Sequence, residues 1–334
     1  MSIYEVAQKA GVSIATVSRV INNSSSVRPE TRERVEAALK ELNYRPNAIA
    51  RSLVVNATNT IGILASDVRD SYYANAIYIL EQEFLKLGYH VILCNTGGGL
   101  DKRKRYIGLL LEKKVDGMVL VGSIFKEKNG NAHILDASAV VPVVMLNSSL
   151  EGDNIYSVVC DDRTGVSKVV ENLAQQGHKE MAYVYDVDSF SGLAKLQGFT
   201  DGMNSMGLPI HPEWIIQTES GLNGGRQAMA RLEELKASCT AIITSEDILA
   251  AGILKGLTAK GIKVPDDMAV FGYNDSIIAE CTKPELSSVD NKVGDLARKA
   301  AGILYQVLKG KEVPHRNIIV PELVFRESCQ REKI

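Results

Sequence analysis

The chain has 334 residues, 45% of them hydrophobic, and its 38 Lys or Arg nearly balance 40 Asp or Glu, which indicates a globular protein of two or three compact units. The five cysteines are far apart and form no Cys-x-x-Cys pair, so neither a disulfide framework nor a zinc site is predicted. The sequence has no basic and apolar leader and no uncharged apolar run of about 18 residues, so we expect a cytoplasmic protein outside the membrane. Residues 1–56 hold eight Lys or Arg and five Glu, and a basic end on an acidic body is typical of nucleic-acid binding by that end.

Three short amphipathic helices are predicted in residues 1–45. Ser2 and Glu5 have capping-box spacing and begin the first helix. Gly11 supplies the positive φ of a sharp turn, and Ser13 can cap the second helix. Pro29 suits the first position of the third helix. Each helix has one apolar stripe, so the three can bury a small common core. The stripes are Ile3, Val6, Ala7 and Ala10, then Val17, Val20 and Ile21, then Val35, Ala38, Leu39 and Leu42.

The second helix has a polar face opposite its apolar stripe. Ala15, Ser18, Arg19 and Asn22 fall on that face at helical spacing. Small side chains let a helix approach base edges in the major groove, so the pattern favours a helix-turn-helix DNA reader. A generic three-helix bundle with a solvated face is the alternative.

Three sequence blocks carry a specific resemblance: Ile3–Ser13, Thr16–Asn22 and Leu42–Leu53. In order and spacing they resemble the lactose/galactose repressor family of bacterial transcription regulators. The resemblance implies that Ile14, Ala15 and Arg19 read bases. It also implies phosphate contacts, which fix register without sequence information. The phosphate-contact residues are Thr16, Ser18, Asn22, Thr31 and Tyr44, and we add Arg28 to them.

Residues 46–59 resemble the hinge helix and linker of that family, a segment that becomes ordered on operator DNA. Seven residues, Asn47 to Leu53, are too few for a stable isolated helix, so folding coupled to binding is reasonable. The resemblance places Asn47 and Ala50 at the DNA and makes Leu53 a wedge in the central base step. The alternative is that Leu53 packs against the body.

The body, residues 60–334, alternates short β-rich runs with helical stretches, which predicts parallel sheets with helices on both faces. So many strands exceed one sheet, and we expect two α/β lobes. The predicted strands are Thr60–Ala65, His90–Asn95, Gly117–Val121, Val143–Leu146, Tyr156–Cys160, Met181–Tyr185, Trp214–Gln217, Thr240–Thr244 and Met268–Phe271. The predicted helices are Ala76–Leu87, Lys102–Lys113, Gly165–Gln175, Leu193–Met206, Arg226–Leu235 and Asp247–Ala259.

The resemblance extends over the body and implies a core of the periplasmic-binding-protein type. Lobe one would be about 60–158 plus 291–320, and lobe two about 159–290 plus 321–334. Together they would form an effector-binding and dimerisation core behind a headpiece at 1–45. Ligands are expected in the cleft at the carboxyl ends of the strands.

Enzyme signatures are weak, so no catalytic residue, metal or cofactor is expected. Gly97-Gly98-Gly99 follows a strand but lacks the spacing of a dinucleotide fingerprint and the Lys of a P-loop. The five histidines are isolated and no G-x-S-x-G elbow occurs. Asp161-Asp162 and Glu246-Asp247 are explained more simply as caps of the helices that follow them.

The candidate effector residues depart from the family pattern. Lys195 stands where most sugar-binding members carry arginine, and lysine lacks the bidentate fork that holds paired hydroxyls. Glu246 replaces the usual Asn, and Ser220 stands where many members have an aromatic lid. We therefore expect a Lys195–Glu246 ion pair, and an anionic or amphipathic ligand in preference to a neutral hexose. The complete effector set is Tyr72, Tyr73, Asn147, Asp161, Lys195, Ser220, Glu246 and Asn274, in which Tyr72 and Tyr73 are equally well explained as core packing.

The sequence thus predicts a homodimeric repressor of a catabolic operon that binds double-stranded, pseudo-palindromic operator DNA. A small-molecule effector, such as a sugar, a sugar phosphate or another metabolite, would switch it. Lysine at position 195 also occurs in the catabolite-control members, so a phosphorylated protein corepressor is the alternative switch. A ligand-binding α/β protein or an enzyme with an incidental helical bundle is the competing class.

Overall fold

A computed structural model describes residues 2–21, 24–44, 58–128 and 130–329. The chain divides into two compact units, Met1–Thr58 and Asn59–Ile334, called here the headpiece and the body. Within the described residues, no helix is both long and apolar enough to cross a membrane.

The headpiece consists of helices α1 (Ile3–Ala10), α2 (Ile14–Ile21) and α3 (Pro29–Glu41). The predicted capping box is confirmed, because Ser2 and Glu5 exchange hydrogen bonds between side chain and backbone. Gly11 ends α1 with φ 63°, as the turn requires. The apolar stripes of all three helices meet in one small core, whose buried members are Val6, Ala7, Ala10, Val17, Val20, Val35 and Ala38.

The first lobe of the body is built on a sheet of six strands in the order β11-β5-β4-β3-β1-β2, all parallel. Helices α4 and α12 cover one face and helices α5 and α6 the other. The strands are β1 (Thr60–Ala65), β2 (His90–Asn95), β3 (Gly117–Val121), β4 (Val143–Leu146), β5 (Ile155–Cys160) and β11 (Arg316–Ile319). The helices are α4 (Ser71–Lys86), α5 (Leu100–Glu112), α6 (Ala132–Ser138), α12 (Val293–Leu308) and a short 3-10 turn at Ser123–Phe125.

The second lobe repeats this plan with the order β12-β10-β9-β8-β6-β7, in which only β12 is antiparallel to its neighbour. Helices α7 and α8 cover one face and helices α9 and α10 the other. The strands are β6 (Met181–Tyr185), β7 (Ile215–Gln217), β8 (Ala241–Thr244), β9 (Ala269–Tyr273), β10 (Ser287–Asp290) and β12 (Glu322–Val324). The helices are α7 (Asp162–Gln175), α8 (Phe190–Ser205), α9 (Leu222–Glu234), α10 (Asp247–Ala259), α11 (Ile277–Cys281) and a 3-10 turn at Pro212–Trp214.

The nine predicted strands and six predicted helices are all present, with ends that differ by a few residues. Three strands were not predicted: β10, β11 and β12. Their sequences SSVD, RNII and ELV are too short or too polar to stand out as apolar runs. Helices α6, α11 and α12 were also not predicted as elements.

The chain passes between the two sheets three times: after β5, between β10 and α12, and between β11 and β12. The carboxyl ends of the parallel strands of both lobes therefore border one cleft, the position at which open α/β sheets bind ligands. Two contacts join the lobes at its rim: the Ser123 hydroxyl donates to the Ser189 hydroxyl at 2.8 Å, and Lys128 pairs with Asp188.

Candidate DNA interface and effector cleft

Helix α2 exposes the face that the sequence predicts for base reading. Ser13 accepts a hydrogen bond from the Thr16 backbone N–H and so caps the helix. Val17 and Val20 on the inner side are buried in the headpiece core. On the outer side, Ala15 and Arg19 are exposed. Because the inner face is committed to packing, the outer face is the one available to a partner.

An exposed apolar side chain begins the same face. Ile14 is large and apolar and is 39% exposed, so it is available to a partner at the start of the outer face. The remaining candidate DNA contacts that the structure describes differ in exposure. Arg28 is exposed, whereas Thr16, Ser18, Thr31 and Tyr44 are half-buried, and Tyr44 also packs against the headpiece core. Asn22, Asn47, Ala50 and Leu53 lie outside the described residues.

Lys195 occupies the floor of the cleft and is 4% exposed. Its ammonium donates a hydrogen bond to the Ser245 carbonyl at 2.8 Å and lies 3.7 Å from the Glu246 carboxylate. It also lies 3.9 Å from the centre of the Tyr273 ring, an electrostatically favourable position for a cation. The predicted Lys195–Glu246 ion pair is therefore confirmed. All of these contacts are internal, so the ammonium is enclosed by its own chain.

Glu246 faces several carboxylates as well as Lys195. Burial raises the pKa of Glu246 to about 8, Lys195 opposes this, and the charges of Asp186, Asp70 and Asp247 raise it further. Asn274 donates a short hydrogen bond to the same carboxylate. Glu246 does not cap α10 with its side chain, so the expected capping role is wrong for this residue. The side chain turns into the cleft instead.

Asp247 also does not cap α10 in the expected way. Its carboxylate accepts hydrogen bonds from the backbone N–H and the hydroxyl of Ser276 and from the Ser288 hydroxyl. These bonds fix the loop after β9 against β10. Burial raises the pKa of Asp247 to about 6.

A second buried carboxylate, Asp162, is connected to Lys195 through Tyr273. The Tyr273 hydroxyl donates to Asp162 at 2.6 Å, and the Ser191 hydroxyl donates to its other oxygen. Asp162 is 3% exposed. Burial raises the pKa of Tyr273 well above its ordinary value, and Asp162 adds to this, so Tyr273 stays a hydrogen-bond donor. The lysine, the tyrosine and the aspartate thus form one connected network.

Asp161, the residue assigned to the effector site, has a structural role. Its side chain accepts from the Thr164 N–H and caps α7, as the capping explanation predicts. Asn147 is likewise used within its own lobe. Its side-chain oxygen accepts from the Cys160 N–H at 3.3 Å, and its backbone has φ 60°. These two side chains fix the ends of β4 and β5.

The aromatic pair Tyr72 and Tyr73 begins α4 on the first lobe. Asp70 caps the helix by accepting from both backbone N–H groups. The two rings meet edge to face with centroids 5.5 Å apart. Tyr73 lies so close to Gly122 that a Cβ at that position would be 2.5 Å from its ring. Burial raises the pKa of Tyr73 to about 12.

Asp186 follows β6 and forms the opposite side of the cleft. Its two carboxylate oxygens accept hydrogen bonds from the hydroxyls of Ser220 and Ser245 at 2.7 and 3.2 Å. Ser220 is exposed, so this position provides a polar rim to the cleft. Sequence reasoning missed Asp186, although its place directly after a parallel strand is a usable signal.

A cavity of about 510 Å³ opens beside this network, between the starts of α4 and α12. Tyr72 and Asn274 belong to its wall, so the cavity adjoins the cleft residues. The structure brings together three of the predicted effector residues, Lys195, Glu246 and Asn274. The other residues of this network, which the predicted effector set does not contain, are Asp70, Asp162, Asp186, Ser191, Ser245, Tyr273 and Asn291, whose side-chain nitrogen donates to the Asn274 side-chain oxygen at 2.8 Å.

Comparisons with known proteins agree with this arrangement. Residues 2–47 match the family described as bacterial regulatory proteins, lacI family, and residues 170–329 match a periplasmic binding protein-like domain. An HTH-type transcriptional regulator of Lachnoclostridium phytofermentans is 40% identical over 98% of this chain and 99% of its own length. The HTH-type transcriptional repressor PurR of Mannheimia succiniciproducens is 31% identical over 99% of each chain.

Two solved structures of transcriptional regulators match almost the whole chain. The Lac repressor dimer bound to operator and the anti-inducer ONPF superposes with a TM-score of 0.88, at 26% identity over 98% of each chain. A complex of the transcriptional regulator CelR with cellobiose gives 0.74, at 28% identity over 98% of this chain and 99% of that one. Both matches include the headpiece and the two-lobed body. The chain therefore belongs to the lacI family of bacterial transcriptional regulators, with a DNA-binding headpiece and a periplasmic-binding-protein-like effector domain.

Proposed function

We propose that this chain is a repressor that binds a pseudo-palindromic operator as a homodimer and is switched by a small molecule in the interlobe cleft. The observation that carries the proposal is the outer face of α2, where Ala15 and Arg19 are exposed opposite a fully packed inner face. A helix with small side chains and one guanidinium fits the major groove, where arginine pairs with guanine O6 and N7. Such a regulator acts in the cytoplasm, where operator DNA lies.

In this proposal Ile14, Ala15 and Arg19 contact base edges. The other DNA contacts are to phosphates or the minor groove, and these set the position of the headpiece on the duplex. The phosphate group comprises Thr16, Ser18, Asn22, Arg28, Thr31 and Tyr44, and the hinge group comprises Asn47, Ala50 and Leu53. The exposure of Arg28 at the start of α3 supports its assignment.

The homodimer is proposed to form through the first lobe. Tyr78 and Leu85 on α4 are 66% and 54% exposed, and Leu93 on the edge strand β2 is 45% exposed. Large apolar side chains that share one surface region favour a protein partner. A second copy of the chain fits because a two-fold dimer presents two headpieces to two operator half-sites.

The effector site is proposed to be the cleft around Lys195, Glu246 and Asn274, lined further by Tyr72, Tyr73 and Ser220. Its buried polar network and the adjoining cavity support small-molecule binding. Asn147 and Asp161 then act by shaping the strand and helix ends that border the cleft. A protein corepressor remains the alternative switch, and a catabolic operon remains the proposed target.

The test is selection of a binding site from random duplex DNA by the full chain, followed by gel shifts on the selected site and on scrambled DNA. We expect a site with two-fold symmetry and two chains per duplex. The Tyr78→Lys variant should weaken the dimer and lose symmetric-site binding, whereas Tyr4→Lys in the headpiece, a matched exposed tyrosine, should leave the dimer intact. Failure to enrich any site would refute the proposed function.

A further inference from the structure

A short segment of each lobe contacts the other lobe at the rim of the cleft. The contacts, called here the rim contacts, are a hydroxyl hydrogen bond, an ion pair and a cation–ring contact. They join Ser123 to Ser189 at 2.8 Å, Lys128 to Asp188 at 3.3 Å, and the Lys126 ammonium to the centre of the Phe190 ring at 4.8 Å. Apart from the three crossings, the hydrogen bonds, ion pairs and cation–ring contacts between the lobes in the described residues are these.

The first-lobe side of the rim contacts is held by buried neighbours. Phe125 is 0% exposed and belongs to a core cluster of the lobe. Glu127 pairs with Arg103, which is 3% exposed. The Asn131 side chain accepts from the Glu127 backbone N–H and donates to its carbonyl. This segment therefore moves with the first lobe as one piece.

The second-lobe side of the rim contacts is the start of α8, the helix that also reaches the floor of the cleft. Ser189 is the N-cap of α8. Further along the same helix, the Ser191 hydroxyl donates to Asp162, and the Lys195 ammonium donates to the Ser245 carbonyl. A packed helix moves as a rigid element. A shift of its first turn at the rim therefore also moves the side chains at the floor.

The rim contacts are individually weak. Lys128 and Asp188 are 66% and 39% exposed, and an exposed ion pair contributes little and is screened by salt. Opening the cleft separates the two segments, while the lobes stay joined at the crossings. The three rim contacts therefore break together, which suits a closure that has to be reversible.

We propose that the rim contacts act as a latch that favours the closed cleft, and that α8 links this latch to the network around Lys195. The inference rests on the proposed function, because closure matters to the protein only if the state of the cleft changes operator binding. A ligand that displaces Lys195 from Glu246 moves α8 and loosens the latch. A ligand that fits without moving α8 leaves the latch closed.

A disulfide in place of the hydroxyl hydrogen bond locks the latch. Ser123→Cys and Ser189→Cys are combined in a Cys281→Ser background, because Cys281 is the exposed cysteine and the other four are buried. The Cβ atoms of bridged cysteines lie about 3.8 Å apart, a separation open to two side chains whose oxygens are 2.8 Å apart. Oxidised glutathione should close this bond within one chain. Failure of the bond to form in the folded protein contradicts the rim contacts.

The unlatched counterpart is Ser123→Ala combined with Lys128→Gln, which leaves Ser189 able to cap α8. Lys113→Gln, an exposed lysine at the far end of α5, is the control and should behave as wild type. X-ray scattering of the full chain should give a larger radius of gyration for the unlatched variant than for the locked one. Gel shifts on the selected duplex should give operator affinities that differ by about fivefold or more between the two.

Each outcome decides the proposal. Equal radii of gyration, or equal operator affinities of the locked and unlatched proteins, overturn it. Thermal unfolding followed by the fluorescence of Trp214, the single tryptophan, identifies any variant that does not fold. If the cysteine pair does not fold, the unlatched variant is compared with wild type by the same two measurements. Absence of operator binding by wild type rejects the proposed function, and the scattering comparison still decides whether the latch exists.

Discussion

Replacing Glu246 with glutamine should stabilise the ligand-free body at alkaline pH. Glutamine keeps an oxygen that can accept the hydrogen bond from Asn274, and it removes a charge that faces Asp186 and Asp70. Lys195 loses its ionic partner in the variant but retains the Ser245 carbonyl and the Tyr273 ring. The change therefore tests whether the buried carboxylate is a net cost to the fold.

The size of the effect follows from the pKa of Glu246, which burial raises from 4.5 to about 8. Each pKa unit corresponds to about 1.4 kcal/mol, so the shift sets an upper bound of about 5 kcal/mol. The side chain is 28% exposed, and solvent reduces the effect to about 2 kcal/mol. The folded state holds the proton more tightly than the unfolded state. The contribution of Glu246 to the free energy of unfolding of the wild type is therefore fully present below pH 4.5, and it is lost as the pH rises toward 8.

Urea unfolding followed by Trp214 fluorescence between pH 5 and pH 9 measures this difference in the lobe that contains Glu246. Wild type and Glu246→Gln should have equal free energies of unfolding near pH 5, and the variant should be more stable by about 2 kcal/mol at pH 9. Glu327→Gln is the control. Glu327 is paired with the exposed Lys283, and its pKa is lowered chiefly by that hydrogen bond. Its stabilising contribution is present above the ordinary glutamate pKa and is lost only at lower pH, so Glu327→Gln should differ from wild type by a constant amount over the same range.

A less stable Glu246→Gln variant at pH 9 would refute this reasoning. That result would mean that the Lys195–Glu246 ion pair outweighs the cost of burying its charges, and that Glu246 is ionised throughout the neutral range. In other proteins, replacing a buried ion pair has either raised or lowered the free energy of unfolding. The sign of the change in this cleft therefore has to be measured.

Five further substitutions, one of them a control, test the headpiece, the hinge and the packing of the body. Arg19→Ala should cost about 1–3 kcal/mol of binding free energy on the selected operator and little on random DNA; equal losses in gel shifts would contradict base reading. Arg28→Ala should instead weaken all sequences alike and lower the slope of log K against log salt by about one; a selective loss would reverse that assignment. Leu53→Ser should leave the body folded and dimeric while footprinting shows that most operator discrimination is lost; unchanged specificity would mean that Leu53 packs. Gly225→Ala should destabilise the second lobe by about 1–3 kcal/mol, because its Cβ would lie 2.2 Å from a backbone oxygen of α10, whereas Gly302→Ala, with open space around it, should be neutral or stabilising in the same urea assay.

Strong hydrophobic patterns made the fold predictable from the sequence. Strand β1, TIGILA, is buried along nearly its whole length, and a parallel strand covered on both faces has this continuous apolar character. Strand β10, SSVD, is equally central in its sheet but is built from small hydroxyl residues. Ser287 and Ser288 are fully buried and bond to Arg326 and Asp247. Their burial depends on partners distant in the chain, which no local pattern contains.

The cleft was predictable only in part for a related reason. Asp161 and Asp162 are adjacent at the start of the same helix, Asp161 as its N-cap and Asp162 as its first residue. Neighbouring residues at a helix start point in different directions, so only one can cap the helix while the other turns inward. Residue type does not distinguish them. The deciding partners are Tyr273 and Ser191, which come from other elements of the lobe.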